Sequence, residues 1–264
     1  MKHTLIVAIL ATASFTMSSC RTMETVSKED IGTVAGAIGG AWVGHRVGGD
    51  NKTLATAVGA AGGALIGRTI GRMLDERDRQ RLSASTHETI RTGQPRSWHN
   101  PETGVSAKTS VKQTTTQQEQ TQVRVLKGKV KEVPPLEFIG EEYSPGGNVN
   151  VRGGPGTDYV VVDTLRAGEH INVVGKVKDK PWYMVSRGGV GSGFVYSTLL
   201  TSVPEENRTG DANQDPVPES QVQRAAVSAT RDCRVVTQEV TLDNGKTTAE
   251  EVTACRGPDG WEIV

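Results

Sequence analysis

At 264 residues the chain is long for one compact domain and comfortable for two or three small ones. Only 35% of it is apolar and 4% aromatic, too little for the single large core that a big catalytic domain buries. Lys and Arg total 30 and Asp and Glu total 30, so no net charge draws the chain to nucleic acid or to an acidic membrane surface.

The first twenty residues carry a cationic start at Lys2, an apolar run from Leu5 through Leu10 to Phe15, and Ser18 and Ser19 before Cys20. This is the layout of a secretory signal, too short for a spanning helix. Its end resembles the lipobox of bacterial lipoproteins, with Met17 where Leu is usual, and the resemblance implies cleavage before Cys20 and acylation of its sulfur. Ordinary signal cleavage near Ala13 is the alternative. Arg21 follows the cysteine, and under the sorting rules that the resemblance brings it points to the outer membrane. With Cys20 lipidated, Cys233 and Cys255 remain as an even pair, and a disulfide is expected in an oxidising compartment.

Gly32, Gly36, Gly40, Gly44 and Gly48 recur every four residues, and Gly59, Gly63, Gly67 and Gly71 repeat the pattern after a polar turn at 49–53. Two helices are expected. Each interior glycine costs a helix about 1 kcal/mol relative to Ala, so the pattern is favourable only where missing side chains let backbones approach closely. The run resembles the glycine-zipper two-helix domain of envelope proteins, which implies packing in or on a membrane and self-association. His45, Arg46 and Arg68 leave spanning of the bilayer and close packing against it as equal alternatives.

From Leu74 to Ile90 mixed charges at three and four spacing suggest a solvated helix, broken at Gln94-Pro95, where an extended segment starts. The stretch 94–105 resembles the region after the zipper in the rickettsial surface-antigen lipoproteins. The chain's end, from Cys233-Arg234-Val235-Val236 through Asp243-Asn244-Gly245-Lys246 to Ala254-Cys255-Arg256-Gly257-Pro258-Asp259-Gly260-Trp261, resembles the carboxyl terminus of the same family. Asn-Gly between alternating apolar residues independently predicts a hairpin, with Cys233 and Cys255 on opposite sides of its turn.

Between these halves, short β-branched runs at 148–152, 160–165, 170–177, 182–185 and 193–196 alternate with turns, which predicts five strands and a small barrel. Asn150-Val151-Arg152-Gly153-Gly154-Pro155-Gly156, then Leu165, Gly168, Trp182-Tyr183-Met184-Val185 and Gly193-Phe194-Val195 resemble the bacterial SH3-like domain, with Phe194 where Trp is usual. That resemblance implies recognition of cell-wall peptide, with Tyr159, Trp182 and Tyr183 lining a groove and Arg152 and Asp158 as polar contacts. Packing of Trp182 in the core and bracing of the glycine turn by Arg152 stand beside it. The Thr/Gln-rich run 109–122 and the Pro/Asp/Glu-rich run 204–225 read as disordered or extended tethers, the first with a possible strand.

His3, His45, His87, His99 and His170 show no metal-ligand spacing, and Gly189-Val190-Gly191-Ser192-Gly193 sits in a hairpin rather than before a helix. No enzyme, metal or cofactor is expected. The fold class is then α+β and multi-domain: a signal (1–19), a lipidated linker (20–30), a glycine-zipper αα-hairpin (31–73), a surface-antigen-like segment (74–107), a linker (108–137), a small SH3-like β-barrel (138–202), a disordered linker (203–228) and a disulfide-linked C-terminal β-hairpin (229–264). The expected function is a structural envelope lipoprotein on outer-membrane lipid that binds peptidoglycan and oligomerises through its zipper, without nucleic acid. An assembly factor gathered around membrane proteins is the alternative.

Overall fold

The computed structural model describes residues 65–208 and 217–264. The signal, Cys20 and the zipper glycines Gly32, Gly36, Gly40, Gly44, Gly48, Gly59 and Gly63 lie outside those residues. Strands hold 53% of the structure, in one 12-stranded mixed sheet. The described residues form two α-helices, α1 (Arg68–Met73) and α2 (Glu76–Thr92).

Two strands of unusual length organise the sheet, β2 (Ser106–Leu126) and β10 (Val222–Thr241). They pair antiparallel from Thr241↔Ser106 to Val222↔Leu126, with one register shift between Val235 and Val236. β1 (Arg96–His99) pairs with the start of β2. β11 (Thr247–Gly257) pairs with the second half of β10, and β12 (Gly260–Ile263) with the end of β11. The turn between β10 and β11 is the expected one, with Gly245 at φ 78° and Leu242 N–H donating to Lys246 O at 2.9 Å. Cys233 and Cys255 stand directly opposite each other and are bonded.

Everything from 127 to 221 is inserted between the two long strands. It contains β3 (Leu136–Pro145), β4 (Val149–Arg152), β5 (Val161–Leu165), β6 (Ile171–Val177), β7 (Trp182–Arg187), β8 (Val190–Tyr196) and β9 (Leu200–Ser202). β3 joins β10 in parallel at Leu136↔Ala229 and Glu137↔Thr230, and β8 meets β2 at Gly191↔Val125. The insert and the ribbon therefore share one sheet.

Side chains alternate along a strand, and β10 pairs with β11 without a break. Val227, Ala229 and Cys233 thus fall on one face of β10, and Val236, Gln238 and Val240 on the other, all buried. On the first face Val123, Val125, Val227 and Ala229 pack with Phe138, Trp182, Met184 and Phe194 of the insert. Across the insert's strands a second core gathers Val149, Val151, Leu165, Ile171, Val185 and Val195. On the opposite face of β10, at its other end, α1 and α2 cover the ribbon through Leu82, Ile90, Val236 and Val240.

Helix α2 starts at Asp75, whose carboxylate accepts from Asp78 N–H at 2.7 Å, and ends at Gly93, φ 75°. It is not the solvated helix expected. Its inner face is marked by Ser83, Thr86 and Thr89 as much as by Leu82 and Ile90, all buried. The two threonine hydroxyls find partners in the ribbon, Thr89 Oγ1 with Thr109 Oγ1 at 2.7 Å and Thr86 Oγ1 from Gln238 Nε2 at 2.8 Å, as buried polar groups usually do, whereas the Ser83 hydroxyl is buried without one.

Three expectations on architecture are corrected. The chain is not a string of α+β modules, because the 109–122 run lies inside β2 and residues 222–228 of the second tether open β10. Apart from the buried Thr109, the Thr and Gln side chains there are exposed or half-buried, but their backbone bonds to the opposite strand. The insert is not a self-contained barrel. Trp182, Met184 and Phe194 form an apolar outer layer that a free barrel would leave in water, and the ribbon covers it. An αα-hairpin is not shown: Gly67 precedes α1, and Gly71 lies within that six-residue helix.

The C-terminal hairpin docks back on the insert. A Cβ on Gly140 (φ 57°) would lie 2.2 Å from Gly260 N, so only glycine admits the β11–β12 turn there. Asn172 Nδ2 donates to Pro258 O at 3.1 Å. Burial pushes the neighbouring Asp259 carboxyl up from its ordinary value, against the pull of Arg124.

Breaking the Cys233–Cys255 bond by Cys→Ser at both positions should cost about 3 kcal/mol for a closed loop of this size, read by chemical denaturation. For Asp259, a folded pKa above the unfolded one gives stability that is full below the unfolded value and lost as pH rises through the folded value. Asp259→Asn should therefore raise the thermal midpoint at pH 7 and leave it nearly unchanged at pH 3, measured by calorimetry.

Candidate functional site

The glycine-rich turn between β4 and β5 brings together three of the expected binding residues. Arg152 Nη1 donates to Tyr159 O at 2.7 Å, which closes the turn from inside. The Tyr159 ring lies against Gly154 and Gly156, where a Cβ would come within 2.2 Å and 3.2 Å of ring atoms. Its hydroxyl donates to Glu132 Oε1 at 2.6 Å, and this bond pushes the phenol up from its ordinary value. Asp158 is exposed beside them. Arg152 thus braces the turn, and the exposed edge of Tyr159 is what the turn offers outward.

Tyr183 belongs to a different neighbourhood. It meets Tyr143 edge-on, with ring centroids 5.4 Å apart, and burial together with Tyr183 pushes the Tyr143 phenol up to about 12. Trp182 is 7% exposed and packs between the insert and the ribbon, its ring edge-on to Tyr196. Phe194 is fully buried in the same layer. The aromatic face of the insert is therefore filled by the chain's own strands.

A cleft opens on the opposite face of β10. On one side of that strand β3 pairs with it only to Glu137↔Thr230, and β11 joins only at Cys255↔Cys233. Arg231 and Asp232 lie in the gap between the two neighbours, and an open space of about 480 Å³ is left there. Direct pairing carries one row of side chains across the sheet beside it: Gln118, Thr230, Glu137, Lys176 and Tyr183.

The cleft's wall is held by a half-buried ion network. Arg256 Nη1 donates to Glu141 Oε1 and to Ile139 O, each at 2.7 Å, and Arg208 reaches Glu141 Oε2 at 3.0 Å. Burial alone would push the Glu141 carboxyl up, but the two guanidinium groups hold it below its ordinary value. Arg256 and Arg234 lie 4.9 and 5.0 Å from the centre of the Trp261 ring, within cation–π range. Arg234 also donates to the Ile90 and Arg91 carbonyls at the end of α2, where the helix dipole favours a cation. Sequence patterns did not single out Glu137, Glu141, Lys176 or Asp232. They are ordinary charged residues that only the pairing of distant strands brings to one place.

Among the described residues no cluster of His, Cys, Asp and Glu is arranged to hold a metal ion, and no helix is long and apolar enough to cross a membrane.

No curated protein matches the chain. Residues 1–75 match the family model of the YMGG-like Gly-zipper, and residues 147–201 match that of the bacterial SH3 domain. The first match ends within the segment that leads into α2, and the second covers β4 to β9. Together the two domains fit a cell-envelope protein.

Proposed function

We propose that this chain is a non-enzymatic envelope lipoprotein, held on the outer membrane by acyl chains on Cys20, that binds the peptide part of peptidoglycan through its SH3-like segment. The observation that carries the reading is the join, in one chain, of a Gly-zipper match at 1–75 and a bacterial SH3 match at 147–201. Two or three acyl chains, at roughly 0.8 kcal/mol per buried CH₂, anchor a protein durably. The zipper glycines allow the close backbone approach through which copies self-associate. The Cys233–Cys255 bond suits an oxidising compartment. The described residues then form a stiff platform that carries the SH3-like segment at the far end of the ribbon from α1, where the zipper match ends.

The full-length protein is the right material for the test, since cutting out the insert would bare Trp182, Met184 and Phe194. Protein extracted in mild detergent should be retained on purified sacculi, and mass spectrometry should find an acylated cysteine at its terminus. Cys20→Ala should abolish acylation and release the protein from membranes while leaving sacculus retention intact. Folded protein that is not retained at low or moderate salt contradicts wall binding. It would favour the reading in which the zipper gathers around membrane proteins and the SH3-like segment holds a protein partner.

A further inference from the structure

We propose that the cleft between β3 and β10 binds a short peptide that carries both a free ammonium group and a free carboxylate. The proposal rests on the wall-binding reading for the source of that peptide, and it places the contact away from the glycine turn.

The cleft is a product of the join between insert and ribbon. It exists because β3 leaves β10 after Thr230 and β11 arrives only at Cys233. Its volume of about 480 Å³ lies in the range of small-ligand sites.

The charges around it are specific. Glu137 and Lys176 stand directly opposite each other on β3 and β6, both exposed. Opposite charges in that register usually pair, yet among the described residues neither side chain has a hydrogen bond or ion pair. Asp232 is exposed on β10, accepts from the Thr116 hydroxyl at 2.9 Å and acts on Arg234 only through its charge. Arg256 is not available as an anion receptor, because Glu141 and the Ile139 carbonyl already take its guanidinium. The site therefore offers two carboxylates and one uncommitted cation.

That balance selects the ligand class. Phosphate or nucleic acid would meet two carboxylates with one lysine, and a polycation would meet Lys176 and Arg256. A peptide with one ammonium set between Glu137 and Asp232, and one carboxylate at Lys176, satisfies all three groups. Charge-assisted hydrogen bonds are the strong ones, and the Thr230 hydroxyl beside them can serve a peptide amide. The Arg256–Glu141–Arg208 network fixes the wall, so little ordering accompanies binding.

The test uses full-length protein and stem peptides released from sacculi by an amidase, titrated calorimetrically. Their N-acetylated, carboxyl-amidated counterparts serve as the uncharged probe. Native stem peptides should bind and the capped ones should not. Lys176→Glu and Asp232→Lys should each weaken binding at least tenfold, whereas Lys246→Glu, on the exposed β10–β11 turn, should not. Thermal midpoints of all three variants should match the parent. Unchanged affinity in Lys176→Glu and Asp232→Lys overturns the proposal, as does equal binding of the capped peptides. Retention on sacculi without stem-peptide binding overturns the cleft and leaves wall binding standing. Failure of both overturns both.

Discussion

The structure depends on the backbone ladder between β2 and β10. Two strands that begin far apart in sequence pair along almost their entire lengths, and each added pair satisfies main-chain donors and acceptors that would otherwise need water. Few apolar side chains support the middle of this ribbon. The Thr/Gln run contributes β-branched residues that suit a pleated strand, while the Arg231–Glu119 ion pair, at 3.0 Å, bridges its centre and the Cys233–Cys255 bond ties β11 to β10 there. Buried cores sit at the two ends, on opposite faces of β10.

This arrangement explains how a low apolar fraction supports a single folded body. Each core is small, but neither stands alone. The ends of the ribbon supply one wall of both, so the insert and the helices are coupled through shared strands rather than tethered by linkers. The same coupling closes the insert's aromatic face, where Phe194 and Met184 meet Val125, and it leaves the opposite face free. A cleft opens on that free side, where one neighbour of β10 ends before the next begins. The peptide site proposed between β3 and β10 follows from which face remains open.

Much of this was legible in the sequence where local pattern carries the signal. Alternating β-branched residues locate β6 and β7 to within two residues, because half-buried strands must alternate. Asn244-Gly245 fixes the hairpin turn, since a tight turn needs positive φ. With Cys20 set aside as an expected lipid site, cysteine parity pairs Cys233 with Cys255, and the two are bonded. Long-range pairing was not legible. The run 109–122 reads as a tether with a possible strand because it is rich in Thr and Gln, and composition does not report that its amides are bonded along β2. Helix α2 reads as solvated because small hydroxyl residues, rather than Leu, mark its buried face. The glycine-turn motif marks Arg152, which in the structure braces that turn through the Tyr159 carbonyl, whereas the cleft residues Glu137, Lys176 and Asp232 carry no motif. They meet through the parallel join of β3 to β10, which no local pattern announces.

Native-state amide hydrogen exchange across residues 113–122 and 222–232 tests the ladder most directly. These segments are where a ribbon and a pair of flexible tethers differ most. Paired strands predict that the amides bonded between β2 and β10 exchange only by large-scale opening, with protection close to that of the core amides of β6 and β7. Exchange of these segments at free-coil rates, with β6 and β7 still protected, would contradict the account.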